Sequence, residues 1–185
     1  MKILIASDIH GDLDGCRALL AAMETAAADR LLLLGDLLYH GPRNAIPPTY
    51  DPQGVVALLS PLQEAVWCVR GNCDAEVDQM LLPFPIMDKT RAWTVDGRAW
   101  FAAHGHRPGA NPTENDLPNL PAGSVFLSGH THIPVLATDD RGILRVNPGS
   151  VTFPKGGFPK SYALYDDGRF RIIDLSGNVL MDTTV

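Results

Sequence analysis

Short apolar runs recur along the chain, and the early ones stop abruptly at a polar side chain of metal-ligand type. Ile3-Leu4-Ile5-Ala6 runs into Ser7-Asp8-Ile9-His10, and Leu31 to Leu34 runs into Gly35-Asp36. Runs this short, apolar at every position rather than every second one, predict strands buried on both faces. Between them, Asp14 predicts the N-cap of a helix through Ala28, with Leu19, Leu20 and Met23 on its apolar side. Strand, helix, strand in this order predicts a parallel βαβ unit. In such sheets functional residues gather beyond the carboxyl ends of the strands, where Asp8, His10 and Asp36 fall.

Residues 39–54 are rich in Pro and Gly, which predicts a loop, and at this length a functional or disordered one. A short helix is expected from about Pro52 to Ser60. A third strand over Ala65 to Val69 delivers Gly71-Asn72-Cys73-Asp74, and one or two helical turns are expected over 76–82. Trp93 to Val95 and Arg98 to Ala103, joined by Asp96-Gly97, predict a hairpin with a tight turn. It ends at His104-Gly105-His106. Residues 107–123 read as a Pro/Asn-rich connection with a helical turn near Asp116. A strand over Val125 to Ser128 ends at Gly129-His130-Thr131-His132, and further strands are expected near 134–138, 143–147, 161–165, 169–174 and 178–183. No repeat or linker divides the chain. The expectation is one α/β domain over 1–185, more parallel in its first half and more antiparallel in its second, as two packed sheets flanked by helices.

Composition adds limits. The 185 residues are 45% hydrophobic and 19% charged, an ordinary globular balance. The net charge of −6 counts against a general binder of long nucleic acids or membrane surfaces, but not against a phosphate-bearing substrate approached through bound cations. No apolar run approaches the roughly 18 residues of a transmembrane helix, and the run after Met1-Lys2 is too short for a signal peptide. Three cysteines without framework spacing fit reduced thiols, so a cytoplasmic protein is expected.

The chemistry lies at the ends of the apolar runs. Asp8, His10, Asp36, Asn72, His104, His130 and His132 form a set of N and O donors too large for one ion and suited to two that share a bridging carboxylate, with Asp36 available for that role. A mixed carboxylate, amide and imidazole set suits Mn²⁺, Fe or Zn²⁺. Two ions roughly 3.5–4 Å apart can clamp a phosphoryl group and generate hydroxide from water. Each stretch alone also reads as a turn, a cap or a buried histidine. Their conjunction, each at the end of an apolar run, points to a dinuclear metal site.

Asp-x-His, Gly-Asp, Gly-Asn-x-Asp, a strand-end His and Gly-His-x-His, in this order, resemble the calcineurin-like metallophosphoesterase superfamily. Within it the chain is similar to the small bacterial YfcE-type phosphodiesterases, a likeness shared by the stretches 40–44, 147–150 and 154–157. The resemblance implies a two-sheet αββα sandwich and a metal-dependent phosphoric diester hydrolase acting through a hydroxide activated between two ions. It implies one ion on Asp8, His10 and His132 and another on Asn72, His104 and His130, with Asp36 bridging. Mn²⁺ is the expected ion, with Zn²⁺, Fe or Ni²⁺ as alternatives, and a homo-oligomer, dimer or tetramer, is expected. Where the superfamily has Gly-Asn-His, this chain has Cys73. A thiol of ordinary pKa near 8.5 can donate a proton but is a weak hydrogen-bond donor, so diesters with good leaving groups are expected over monoesters.

Cys73, Asp74 and Arg43 are therefore candidate catalytic residues, Asp74 by orienting a neighbour and Arg43 by offering a guanidinium fork to phosphate. His40, Asn44 and His106 are candidate substrate or supporting residues. His106 is expected to point to the opposite face from His104 if the strand continues. Lys155 among glycines is a candidate anion contact, whereas Cys16, Cys68 and the tryptophans are expected in the core or at an interface. The competing readings are a non-catalytic protein-binding scaffold of the same fold, which the intact ligand set disfavours, and a phosphomonoesterase or nuclease. Cys73 disfavours the monoesterase, and the absence of a basic stripe disfavours a nuclease on long polymers.

Overall fold

The first two apolar runs are buried on both faces. In β1 (Lys2–Ala6) and β2 (Arg30–Leu33), Ile3, Ile5 and Leu32 face one core, and Leu4, Ala6, Leu31 and Leu33 face another. The second of these cores is completed by α1 (Leu13–Ala26) and α2 (Pro52–Leu59) through Cys16, Leu19, Val55 and Leu59. The structure, a computed structural model, describes residues 1–106 and 119–185. The remaining elements are β3 (Val66–Cys68), α3 (Glu76–Gln79), β4 (Thr90–Val95), β5 (Arg98–Ala103), β6 (Val125–Leu127), β7 (Val135–Thr138), β8 (Leu144–Asn147), β9 (Ser161–Asp166), β10 (Arg169–Asp174) and β11 (Val179–Thr184). The helical turn expected near Asp116 lies outside the described residues.

Two mixed sheets pack face to face. One has the order β11-β10-β9-β1-β2-β3 and the other β4-β5-β6-β8-β7. The core between them holds Ile3, Ile5, Leu32 and Leu34 against Trp100, Ala102, Val125, Leu127, Leu144 and Val146, with Tyr165, Phe170 and Ile172. On the outer face of the second sheet, Phe126 and Ile143 pack with Phe101, Ala103 and Leu120, and no helix covers them among the described residues. No helix among the described residues is long and apolar enough to cross a membrane.

The local reading needs two corrections. The N-cap of α1 is Asp12, whose carboxylate accepts from the Gly15 amide at 3.2 Å; Asp14 sits inside the first turn, exposed and paired with Arg17. The helix ends at Ala26 rather than Ala28, because Ala27 turns left-handed and its N–H closes back on the helix. The second half is the more antiparallel one, as expected, although β5, β6 and β8 run parallel within it, and β9 returns to pair antiparallel with β1 in the first sheet. Short apolar runs do not encode their partners, so the pairing follows from which faces complete a common core. The Asp96-Gly97 hairpin forms as expected, both residues having positive φ (47° and 78°), which matches the twist of a two-residue turn.

Candidate metal centre

The parallel strands of both sheets point their carboxyl ends at one edge of the sandwich, and the polar stretches meet there. Asp8 and His10 follow β1, Asp36 follows β2, Asn72 to Asp74 follow β3, His104 follows β5, and His130 and His132 follow β6. Five of the seven expected ligands sit in the left-handed region: Asp8 (φ 58°), His10 (50°), Asp36 (57°), His130 (65°) and His132 (59°). For non-glycine residues this costs on the order of 1 kcal/mol each and persists only where the surroundings over-determine it.

The loops approach so closely that two positions require glycine. A Cβ on Gly71 would lie 2.0 Å from Asp36 Oδ1, and one on Gly129 would lie 1.9 Å from Ser7 Oγ. Asp74 is buried, and its two carboxylate oxygens accept from the backbone amides of Asp36 (2.9 Å), Leu37 (2.9 Å) and Gly71 (2.7 Å). Burial raises its pKa, and these amides oppose that shift. Its carboxylate is thus turned to the β2 and β3 loops, and it holds Asp36 in place.

Three imidazoles are oriented in the same way. Nδ1 of His10 faces the Tyr39 carbonyl at 2.7 Å, that of His104 the Leu34 carbonyl at 2.5 Å, and that of His132 the Phe153 carbonyl at 2.7 Å. A carbonyl only accepts, so each Nδ1 carries its proton and, in the neutral ring, Nε2 presents a bare lone pair. Those Nε2 atoms converge on carboxylates. His132 Nε2 lies 3.1 Å and His10 Nε2 3.5 Å from Asp8 Oδ1, and Asp36 Oδ2 lies 3.4 Å from His104 Nε2 and 3.8 Å from His10 Nε2. Lone pair facing lone pair in a buried site is unfavourable without a cation between them. Asp8 Oδ1 and His10 Nε2 are both buried without a hydrogen-bond partner. Divalent cations fit this donor set. Asp8, His10 and His132 make one group of ligand atoms within 4.8 Å of one another, and Asp8, Asp36 and His104 make another.

The electrostatics have the same sense. Burial raises the Asp8 carboxyl pKa, but the imidazoles of His10 and His132 outweigh it and hold the group well below the usual carboxylate range. Burial lowers the His104 pKa, yet Asp36 and Asp8 push it up to about 9. The cluster attracts positive charge, whether protons or metal ions. His130 is the exception, lowered by burial and by His104, which keeps it a neutral donor. Its ring lies 5.2 Å from that of His104, outside the two tight groups and outside a third, of His10, Asp36 and Cys73, while its backbone N–H donates to Asp8 Oδ2 at 3.0 Å. Asn72 Oδ1 is 3.2 Å from His104 Nε2.

Beside the cluster opens a cleft of about 360 Å³, lined by His10, Asp36, Asn72, Cys73, His130 and His132 together with Arg43, Asn44 and Lys155. Cys73 is half-buried; its thiol accepts from Asn72 Nδ2 at 3.2 Å, and burial with the nearby Asp36, Asp74 and Asp8 drives its pKa far up, so it stays protonated. His40 does not line the cleft. Its ring packs against Tyr39 and Tyr50, and its carbonyl accepts from the Asn44 amide at 2.8 Å. His106 is not on the opposite face. The strand stops at Ala103, Gly105 has a positive φ (96°), and the His106 ring lies 5.5 Å from that of His104 and 6.2 Å from that of His130. Cys16 and Cys68 are buried free thiols, and Trp67 stacks on Trp93 at 4.9 Å, all packing roles.

One supporting stretch carries no assigned role in the sequence reading. At the end of β8 and just beyond it, Asn147 Nδ2 donates to the Gly129 carbonyl and to Thr131 Oγ1, Ser150 Oγ to the Asp8 carbonyl at 3.0 Å and Thr152 Oγ1 to the Ile9 carbonyl at 2.6 Å. The Phe153 carbonyl orients His132, and its ring packs on those of His10 and His132. The signal was the Asn-Pro-Gly-Ser turn at a strand end, which marks a tight turn without showing what it holds.

Two mixed sheets with an Asp/His cluster at the carboxyl ends of their parallel strands define a metal-dependent phosphoesterase. The model of the calcineurin-like phosphoesterase superfamily domain matches residues 1–167, and the chain belongs to that superfamily. It is 44% identical to the phosphodiesterase YfcE of Escherichia coli K12 over 177 residues, covering 95% of this chain and 93% of the relative. A solved structure of the E. coli phosphoesterase YfcE superposes with a TM-score of 0.93 at 41% identity, over 100% of this chain and 99% of that one. Vacuolar protein sorting 29 from Cryptosporidium parvum shares the fold alone, with a TM-score of 0.66 at 18% identity over 100% and 98% of the two chains.

Proposed function

We propose that this protein hydrolyses phosphodiesters with two divalent ions, Mn²⁺ being the activating metal. The observation that carries the reading is the convergence of imidazole Nε2 atoms on buried carboxylate oxygens beside an open cleft. Asp8, His10 and His132 would hold one ion, Asn72, His104 and His130 the other, and Asp36, which faces both His10 and His104, would bridge them. When bound, the ions supply Lewis acidity, lowering the pKa of a water and taking up charge on phosphoryl oxygens. The 44% identity to a relative named a phosphodiesterase supports the diester as substrate.

The chain's own residues do the rest. Tyr39, Leu34 and Phe153 carbonyls fix the imidazole tautomers, and Asp74 fixes the Asp36 loop. Arg43 and Asn44 on the cleft wall contact substrate oxygens, and the Cys73 thiol, protonated through the neutral range, faces the leaving-group side. A thiol is a weak donor, so diesters with good leaving groups, such as aryl esters, are cleaved in preference to monoesters. The protein works in the cytoplasm, in keeping with its three free thiols, and as a homo-oligomer, for which the exposed Val77, Met80 and Leu81 offer apolar surface.

The test is hydrolysis of an aryl phosphodiester by chelator-stripped protein before and after addition of Mn²⁺, with Asp36→Asn and an aryl phosphomonoester alongside. Activity restored by Mn²⁺, stronger on the diester and at least about 10³-fold lower in the variant, is the expected result. Folded protein that turns over neither ester with any divalent metal would instead be a binding scaffold.

A further inference from the structure

Two cations line the cleft beyond the ligand cluster, and Lys155 is tethered to it through the backbone. The Lys155 N–H donates to the carbonyl of His132 at 3.0 Å, within the turn closed by Phe158 N–H on the Lys155 carbonyl. Arg43 lies in the turn opened by Gly41, whose α-carbon faces Cys73 and His10: a Cβ there would meet Cys73 Sγ at 3.4 Å and His10 Cε1 at 3.9 Å. The Asn44 side chain closes that turn on the His40 carbonyl. Arg43 thus stands on the Cys73 side of the cleft and Lys155 on the His132 side, with His10, Asp36 and His130 also lining the wall.

Both side chains are exposed, and neither forms an ion pair with any described residue, in a chain whose acids outnumber its bases by six. Asp36 is the only carboxylate among the residues lining the cleft, and its Oδ1 is occupied by the Cys73 amide at 2.7 Å. A phosphodiester has a single negative charge, which belongs at the ligand cluster where reaction occurs. Two further cations on the walls exceed what that charge needs. A guanidinium fork and an ammonium suit a second phosphate or carboxylate.

Building on the diesterase reading above, we infer that the preferred substrate is a phosphodiester in which one alcohol portion carries a further anionic group, phosphate or carboxylate, held between Arg43 and Lys155. These two residues set specificity, and they discriminate by binding. Charge-complementary contacts at an open rim are screened by salt, so the preference weakens as ionic strength rises.

The test uses inert dialkyl phosphinates, in which both ester oxygens are replaced by CH₂, ending in a hydroxyl, a carboxylate or a phosphonate. Their binding to the Mn²⁺-loaded protein is measured by calorimetry, for the wild type and for Arg43→Gln, Lys155→Gln and the double variant. The expected result is roughly tenfold tighter binding of at least one anionic-ended probe than of the hydroxyl-ended probe, since one well-placed charge pair supplies about that factor. That ratio falls towards one in the double variant and shrinks at high salt. The carboxylate and phosphonate arms show which anion is preferred. Equal affinities of charged and uncharged probes for the wild type, or a ratio that survives in the double variant, would overturn the inference. Turnover of an aryl diester with an uncharged second group, measured on the same preparation, reports the diesterase reading independently.

Discussion

Asp74 shows how much one residue can fix without touching substrate. Its two oxygens serve three amide donors, which an amide side chain cannot match, because its NH₂ group must then face at least one N–H. Asp74→Asn should cost about 1–3 kcal/mol in urea unfolding and weaken Mn²⁺ binding by displacing Asp36. An unchanged Mn²⁺ affinity in calorimetry would show that the loop does not depend on it. Asp12 is a second such residue. Burial would raise its pKa, but Lys160 Nζ at 2.7 Å, Thr49 Oγ1 and the Gly15 amide hold it below the usual carboxylate value. A carboxyl depressed in the fold contributes stability above its unfolded pKa, near 3.9, and that stability is lost as pH falls through the still lower folded value. Below about pH 4, wild-type stability should therefore fall more steeply than that of Asp12→Asn, as read by denaturation midpoints across pH.

Among the elements, the connection from β8 to β9 does most to shape the site. It lies over the Asp8-Ile9-His10 turn and the Gly129 to His132 turn and ties both by side-chain hydrogen bonds. Ser150 Oγ also accepts from the Thr152 and Phe153 amides, so removing it frees three partners at once. Ser150→Ala should lower Mn²⁺ affinity by about 10-fold or more, the usual consequence of losing a group that orients ligands. A drop in melting temperature with undiminished metal affinity would mean that the serine serves packing alone. Gly71→Ala makes the matching steric case. A Cβ 2.0 Å from Asp36 Oδ1 cannot be accommodated without moving the Asp36 carboxylate, so Mn²⁺-dependent turnover should vanish in protein that still shows the native circular dichroism spectrum.

At the scale of the whole molecule, the two sheets are joined by an apolar interior and, at one edge, by a polar cluster that gathers like lone pairs. Asp8 and Asp36 come from one sheet, and His104, His130 and His132 from the other. Divalent ions bound there link the sheets and favour the folded state over the unfolded chain. At Mn²⁺ one hundred times its dissociation constant, that linkage contributes about 2.7 kcal/mol, which for a chain of this size raises the melting temperature by roughly 5–10 °C. Stripping the metal with a chelator should remove this increment in scanning calorimetry, and Asp36→Asn should show little of it. Among the residues lining the cleft, Arg43 and Lys155 are the cationic side chains.

The sequence by itself determined the strands, the start of α2 and the stretches that carry the candidate metal ligands. These are local properties: burial on both faces demands an unbroken apolar run, and a strand end exposes the polar residues that follow it. The Gly-Asn-Cys-Asp stretch after β3 is visible at that level too. Only the tertiary structure decided the parallel course of β5, β6 and β8, the return of β9 beside β1 and the choice of Asp12 over Asp14 as cap. It also placed His106 beside His104 rather than behind it and assigned Asp74, Ser150 and Thr152 their partners. Most of these depend on contacts between residues far apart in the chain, chosen by which faces complete a common core and which carbonyl lies within reach of a given donor, and no local pattern carries that information.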